Sequence, residues 1–438
     1  MATPRLLKRI MASQPIQWVG SALGAGYVEM LAHARERLRI DIGFVLWDGS
    51  TVPSTLPAGA FAIVLADEGV VAALIRRPKL DTILNLWVSA RFDLRNGTLF
   101  DLVARRPKVR SKDFLRVIDK WLALGVAAKF LFVSRGGPWP LEQLRDDPVA
   151  DGSESANREN VQYHYDVSNE FYALFLDPEM IYTCAYFVDW ADDLATAQRN
   201  KLDMSCRRLR LKPGEALLDI GCGWGAFICH AAQHYGVRAH GVTLAQKQYD
   251  YAAEKIARLR DYTLVDGSFD KIASIGMFEQ VGIDNHPTYF QTVNRLLKPN
   301  GLYLHHAISR PAKRDDKAFR KQRPEYAVIT RYIFPGGELD HLGMTIANLD
   351  RFGFEIHDVE GWREHYARTC RLWHDRLLAN KSAAGNEIGS EKSRLWLAYL
   401  AGSSIAFERG TVGLFQTLAS KRKRGGAGLP PTRADLYR

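Results

Sequence analysis

Two groups of residues in this chain have the types and spacing that chemistry requires. The first is the run Leu217-Leu218-Asp219-Ile220-Gly221-Cys222-Gly223-Trp224-Gly225, where an apolar strand breaks into three alternate glycines and the helix-like stretch Ala226–Gln233 follows. Glycines supply backbone angles and clearance that a β-carbon denies. A strand, turn and helix of this kind brings backbone close to a ligand at the helix N-terminus. The pattern reads as a nucleoside-cofactor site, with a plain structural turn as the alternative. The second group is Glu279, directly after the apolar run Ile275–Phe278, with His306 in Leu304-His305-His306-Ala307-Ile308 and Cys184 between Tyr182 and Tyr186. Each is a polar side chain beside an apolar run, the kind of position from which acid–base chemistry can be done. An ordinary polar cluster at strand ends is the other reading, and Cys184 by itself reads as a buried small hydrophobe.

Alternating strand and helix signals must position these residues. From Gln198 onward, apolar strand candidates are Ala216–Ile220, Ala239–Val242, Lys271–Ile275 and Gly301–Ala307, with helices over Ala245–Leu259 and Thr288–Leu297. This alternation predicts a doubly wound parallel sheet. Ligands bind such sheets beyond the carboxyl ends of the strands, where both groups fall. Upstream, Leu38, Ile40, Ile42, Phe44 and Leu46 alternate into the turn Asp48-Gly49, Phe61–Leu65 and Trp87–Leu94 read as strands, and Gly26–Arg37 and Phe114–Phe132 read as helices. These predict a compact α+β domain over residues 1–140. The polar stretch Arg145–Asn160 reads as a linker (141–160), and the catalytic domain spans 161–415. Residues 416–438, with Lys421-Arg422-Lys423-Arg424, Gly425-Gly426 and Pro430-Pro431, read as a basic, flexible tail.

The 438 residues, 47% of them hydrophobic, suffice for one large core and a smaller one. Fifty-nine Lys+Arg against 49 Asp+Glu leave a charge of +10, which suits an anionic partner. No nucleic-acid module is visible, so an acidic membrane surface is favoured. Five cysteines, odd in number and without paired metal spacing, suit reduced thiols in a cytosol; neither disulfides nor zinc is expected. The basic N-terminus (Arg5, Lys8, Arg9) lacks a secretory core, and the longest apolar stretch, Ala60–Ile75, is interrupted by Asp67 and Glu68. The expectation is a cytoplasmic protein touching lipid peripherally.

The glycine loop with Asp219 before it resembles the first motif of S-adenosylmethionine-dependent methyltransferases. Further segments join it: Val161-Gln162-Tyr163-His164-Tyr165-Asp166 through Tyr172, Ile181-Tyr182-Thr183-Cys184-Ala185-Tyr186-Phe187, Gly276-Met277-Phe278-Glu279-Gln280-Val281-Gly282, and Tyr332-Ile333-Phe334-Pro335-Gly336-Gly337. In this order they resemble the cyclopropane-fatty-acyl-phospholipid synthase family, including the mycolic acid cyclopropane synthases, over about residues 157–415. The resemblance implies a Rossmann-like class I methyltransferase sheet; residues before about 140 match only loosely, and the smaller N-terminal α+β domain is expected to serve lipid binding or dimerisation. Tyr182, Thr183, Asp219, Gly221, Gly223, Trp224, Gly225, Thr243, Gln248 and Asp261 would then hold S-adenosylmethionine. A bound bicarbonate ion, held by Cys184, Glu279, His306, the Ile308 backbone and Tyr366, would be the base.

Transfer of a methyl group to an unactivated alkene places positive charge on the hydrocarbon, and ring closure removes a proton from that methyl. A bicarbonate hydroxyl can donate to Glu279, leaving its other oxygens for His306, Tyr366 and the Ile308 amide. Aromatic faces of Tyr163, Tyr165, Phe171, Tyr172, Tyr182, Tyr186 and Phe187 either stabilise the cation or pack a core, with His164 and Tyr182 the foremost candidates. The implied substrate is an unsaturated membrane phospholipid, the implied assembly a homodimer, and Lys317, Arg320, Lys321, Arg323 and Arg331 would meet headgroups. Two departures from the family pattern stand out. Many relatives have His where Gln280 stands, and an amide cannot relay a proton, which keeps methyl, methylene and furan products open. Between Gln248 and Asp261 there is room for a helix of roughly 10 residues but not for the strand that relatives place before this Asp; a solvated loop is the alternative reading of Asp261.

Overall fold

The structure, a computed structural model, describes residues 15–107, 117–143, 167–252, 257–259, 261–321 and 323–437. The chain divides into two compact units, Met1–Leu144 and Arg145–Arg438. Outside the described residues lie the proposed linker Arg145–Asn160, the aromatic positions Tyr163, His164 and Tyr165, and the basic residues Arg5, Lys8 and Arg9.

In the first unit, helix α1 (Pro15–Leu38) precedes a four-stranded sheet of β1 (Gly43–Val45), β2 (Thr51–Val52), β3 (Ala62–Leu65) and β4 (Phe92–Arg95), ordered β2-β1-β3-β4. Its larger helices besides α1 are α2 (Glu68–Arg76), α3 (Leu80–Val88) and α4 (Lys120–Phe130), with short helical turns at Leu99–Ala104 and Pro140–Gln143. The strand expected over Trp87–Leu94 begins only at Phe92. Thr82, Asn85, Leu86 and Val88 are buried at helical spacing and place Trp87 in α3, and Ala90, at φ 56, turns the chain into β4. The core gathers Tyr27, Leu31, Leu46, Leu65, Val70, Leu86 and Phe130.

The second unit is built on a seven-stranded sheet ordered β10-β11-β9-β8-β5-β6-β7. Along the chain it runs α5 (Leu194–Leu209), β5 (Ala216–Ile220), α6 (Ala226–Tyr235), β6 (Arg238–Thr243), α7 (Gln246–Ala252), β7 (Ala257–Leu259), β8 (Phe269–Ile275), α8 (His286–Leu296) and β9 (Leu297–Ser309). After α9 (Pro324–Tyr332) come β10 (Phe354–Gly361), α10 (Arg363–Ala379), α11 (Ser390–Glu408) and β11 (Gly413–Lys421). Neighbours among β5 to β9 pair in parallel, and β11 lies antiparallel between β9 and β10. One apolar layer packs on each face of the sheet, around Leu217, Ile228 and Leu304 on one side and Leu218, Phe290 and Tyr303 on the other. Strand order reverses at β5, whose neighbours β6 and β8 diverge beyond its carboxyl end. A crevice opens there by topology alone.

Two expectations about this unit need correction. The helix expected over Ala245–Leu259 ends at Ala252, and the strand thought to lack room is present as β7, pairing Gly241 with Ala257 and Thr243 with Leu259. A shorter helix leaves the residues that a three-residue strand needs. The expected flexible tail from residue 416 instead supplies most of β11. Gln416, Thr417, Leu418 and Ala419 are buried, because both faces of that strand are covered. Beyond it, the Lys421 ammonium donates to the carbonyls of Asn294 and Leu297, Arg433 and Arg210 pair with Asp358 and Asp435, and Leu436 is 2% exposed. Lys421 thus caps backbone carbonyls and Arg433 neutralises a carboxylate, while Arg422, Lys423 and Arg424 are exposed.

The buried Arg208 of α5 pairs with both Asp358 and Glu360 of β10. Removing one partner of a buried pair leaves uncompensated charge and costs about 3–5 kcal/mol. Arg208→Met should therefore lower stability by about that amount, whereas Arg433→Ala, whose side chain is largely exposed, should cost less than about 1 kcal/mol. Urea midpoints check this, and equal losses for the two variants would contradict it.

Candidate active site

A cavity of about 260 Å³ opens at the carboxyl ends of β5, β6 and β8. The glycine loop forms one wall: the Gly221 and Cys222 amides both donate to Val242 O, at 2.9 and 3.0 Å, and tie the loop to β6. Gly221 has φ +83°, and a β-carbon there would lie 2.7 Å from Met277 Cβ, so no other residue fits without displacing the turn after β8. Asp219, Gly221, Gly223 and Trp224 line this wall; Thr243, Gln248 and Asp261 line the side toward β6 and β7. Thr243 Oγ1 donates to Gln248 Oε1 at 3.1 Å. Asp261 is buried rather than solvated, its Oδ1 accepting from the Thr263 amide and hydroxyl. Gly225 is the exception among the expected cofactor residues. It caps the start of α6, packs toward Ala252 and Ile228, and does not line the cavity.

The segment before α5 closes the opposite wall with Tyr182 and Thr183. Gln198 of α5 donates to Thr183 O at 2.9 Å, and Lys201 of α5 donates to Thr183 Oγ1 at 3.0 Å. The Thr183 methyl presses on Gly276, where a β-carbon would come within 2.7 Å of Cγ2. Tyr182 donates to the Tyr399 hydroxyl at 3.2 Å and packs on Trp373, while Trp224 Nε1 donates to Asn169 Oδ1 at 2.8 Å. Gln198 and Lys201 escaped the sequence reading. The signal was available: buried residues of α5 recur as Leu194, Ala197, Gln198, Lys201, Leu202, Ser205, Arg208 and Leu209, and the polar ones stand on an otherwise apolar stripe.

A second cluster lies where β8 and β9 end. Glu279 follows β8, and its Oε1 accepts the Ile308 amide at 2.6 Å, while its buried Oε2 has no partner. His306 stands two residues before Ile308 on β9, so their side chains share one face. His306 Nδ1 meets Gln416 at 3.3 Å, Nε2 is unpartnered, and the ring packs edge-on to Trp362. Cys184 Sγ donates to Ala185 O at 3.2 Å and faces Trp362 O at 3.9 Å. Tyr366, at the start of α10, packs against Trp373 and Phe407. Of the five residues expected to hold bicarbonate, Glu279 meets the Ile308 amide, and Cys184 and His306 share Trp362 as a neighbour. The Ile308 amide, expected to bind the anion, is already committed to Glu279.

Burial governs the protonation states here. It raises the Glu279 carboxyl to about 7 against the opposing Ile308 hydrogen bond, with Asp340 adding a smaller push in the same direction. It raises Asp219 to about 7, opposed by Lys201, and lowers Lys201 to about 8, opposed by Asp177, Cys184 and Asp219. His306 is held well below its usual range by burial and then by Lys201, His305 and Arg208, which leaves a neutral imidazole. The Cys184 thiol is pushed well up by burial and Cys370, which makes it a weak donor rather than a thiolate. Tyr366 is raised by burial and by Cys370, Tyr399, Cys184 and Glu279, and stays a phenol. Neutral donors and one buried carboxyl near neutrality make this a site for holding and moving a proton.

Fold and site together define a class I S-adenosylmethionine-dependent methyltransferase. The family described as mycolic acid cyclopropane synthetase matches residues 153–417, and the chain belongs to it. A probable fatty acid methyltransferase of Pseudomonas putida is 33% identical over 422 residues, covering 93% of this chain and 99% of its own. The cyclopropane-fatty-acyl-phospholipid synthase of Escherichia coli K12 is 36% identical over 269 residues, 60% of this chain and 68% of its own. The crystal structure of mycolic acid cyclopropane synthase CmaA1 complexed with SAH and CTAB superposes with a TM-score of 0.57 at 33% identity, over 60% of this chain and 98% of the other.

The raised Glu279 carboxyl has a consequence for stability. Between 4.5, the ordinary Glu value, and about 7 the folded chain holds a proton that the unfolded chain has released. This residue's contribution to stability therefore falls as pH rises through that window. In ligand-free protein, Glu279→Gln should gain on the wild type by about 1.4 kcal/mol per pH unit there, read from urea midpoints across the range. A difference that stays flat with pH would show that the carboxyl ionises as it does in water.

Proposed function

We propose that this protein transfers a one-carbon unit from S-adenosylmethionine to the double bond of an unsaturated phospholipid acyl chain and closes a cyclopropane ring, with bicarbonate as the proton acceptor. The observation that carries this reading is the pair of unpartnered polar atoms, Glu279 Oε2 and His306 Nε2, in the buried cluster beside Tyr366 and Cys184. Buried polar atoms without partners are rare and call for a ligand or ordered water. S-adenosylmethionine, bound in the adjoining cavity, supplies an electrophilic methyl group. Attack by the alkene leaves positive charge on the hydrocarbon, and the ring closes when the transferred methyl loses a proton. Glu279, fixed by the Ile308 amide through Oε1, offers Oε2 to the hydroxyl of a bicarbonate ion. His306 and Tyr366 are the neutral donors for its remaining oxygens, and the pocket excludes water that would quench a carbocation.

One observation favours the rival reading, a methyl, methylene or furan product on the same scaffold. Gln280 lines the cofactor cavity with Nε2 turned toward Gly337, an amide that cannot relay a proton as an imidazole would. A relative named as a probable fatty acid methyltransferase is compatible with either product.

The same proposal places the substrate in an anionic membrane, approached from the cytoplasmic face. Among the described residues no helix is long and apolar enough to cross a bilayer. In the first unit, Trp121 is 84% and Phe132 is 92% exposed, beside exposed Leu124, Leu131, Lys120 and Lys129. Exposed aromatic and aliphatic side chains flanked by cations suit an interfacial anchor. In the second unit Lys317, Lys321 and Arg323 are exposed, whereas Arg320 is drawn to Asp284 at 2.9 Å.

Purified protein given vesicles of unsaturated phosphatidylglycerol should lose turnover in carbon-dioxide-free buffer and regain it on adding bicarbonate. Glu279→Gln should cut turnover roughly 10²- to 10⁴-fold and leave affinity for S-adenosylhomocysteine within about twofold, a difference under 0.5 kcal/mol. Turnover indifferent to bicarbonate would overturn the base, and loss of cofactor affinity would move Glu279 into the cofactor site.

A further inference from the structure

We propose that Lys201 is the receptor for the α-carboxylate of the cofactor and that Asp219, on the same cavity, takes the α-ammonium. This rests on the reading of the cavity as the S-adenosylmethionine site and names which of its walls holds the amino-acid end.

Lys201 is 2% exposed, yet it lines the cavity. Of its three N–H donors, one is used on Thr183 Oγ1 at 3.0 Å, and no carboxylate among the described residues pairs with it directly. Asp177, whose charge acts on Lys201 most strongly, spends Oδ1 on the Ile181 amide and Oδ2 on the Glu179 amide. Asp219, which lines the same cavity, is 3% exposed and its Oδ1 has no partner. A buried ammonium and a buried carboxylate that sense each other's charge without meeting are each left short of hydrogen bonds, which is costly unless a ligand completes them. The group that completes both at once carries an ammonium and a carboxylate on one carbon. An α-amino acid has that arrangement, and the methionine portion of the cofactor is one.

The elements around Lys201 hold it rigidly for such a role. Gln198, one turn earlier on α5, grips the carbonyls of Ile181 and Thr183 at 3.3 and 2.9 Å. Thr183 is wedged against Gly276. The ammonium is thereby held beside Thr183 on the cavity wall. A charge-assisted hydrogen bond from so fixed a donor discriminates strongly against a ligand that lacks the carboxylate.

The test pairs two ligands, S-adenosylhomocysteine and 5′-methylthioadenosine, which shares the adenosine and thioether but lacks the amino-acid end. Calorimetry should show Lys201→Met weakening S-adenosylhomocysteine about 10- to 100-fold while 5′-methylthioadenosine binds as it does to the wild type. The carboxamide of S-adenosylhomocysteine should bind wild type and variant alike. An equal loss for all three ligands, or no loss, would overturn the proposal and reduce Lys201 to a prop for Thr183. Should Lys201→Met fail to fold, the isosteric Asp219→Asn carries the test from the ammonium side, with the same split between the two ligands expected and a uniform loss contradicting it. If the wild type binds none of these nucleosides, the cofactor reading fails before the question of Lys201 arises.

Discussion

The hydrogen bond from the Ile308 amide to Glu279 Oε1 joins the end of β9 to the turn after β8, and much of the second unit is arranged so that this bond forms in the dark of the core. It requires β8 and β9 to run in parallel register, Ile275 opposite His306, and it requires a glycine at 276 whose amide donates back to His306 O at 2.9 Å. The same turn carries Met277, which presses on Gly221, and Gly276, which receives the Thr183 methyl. Cofactor loop, carboxyl and the segment holding Tyr182 are therefore one interlocked assembly. A shift of any member moves the others.

Water exclusion gives that assembly its chemical character. Asp219, Glu279 and Asp340 are each raised to about 7 by burial, and Lys201 is lowered to about 8, so several groups sit near the balance point between charged and neutral forms. Groups in that range exchange protons at neutral pH with small driving forces. The structure supports this at a cost in stability, because each desolvated group left unpartnered disfavours folding. Rigid supports on all sides offset that cost: Tyr172, Trp373 and Trp396 pack around Tyr182, and Arg208 anchors β10 to α5.

Legibility in the sequence followed how local each signal was. The β5 strand and its glycine loop could be read because an apolar run and three glycines lie within nine residues, and Glu279 because it directly follows the apolar run Ile275–Phe278. The helix α8, expected from Thr288 and observed from His286, shows the same locality. Strands β10 and β11 were missed because they are antiparallel partners recruited across the sheet, and their burial depends on neighbours far away in sequence. The tail was misread for a related reason: Lys421 and Arg433 look solvated until the carbonyls and carboxylates they meet are placed beside them. Lys201 was overlooked because a single lysine within a helix resembles a surface residue, and only its position on the buried stripe says otherwise. Gly225 was over-read, since the third glycine of the loop serves helix α6 rather than the cavity.

The central claim, that this buried assembly adds a carbon to a lipid double bond, is met most directly by mass spectrometry of total fatty acids. The chain would be expressed in a host without its own cyclopropane synthase and fed methyl-labelled methionine. A gain of one labelled CH₂ with loss of the double bond, and a ring confirmed by chemical derivatisation, is the predicted result. Unlabelled fatty acids, with the protein folded and binding S-adenosylhomocysteine, would contradict it.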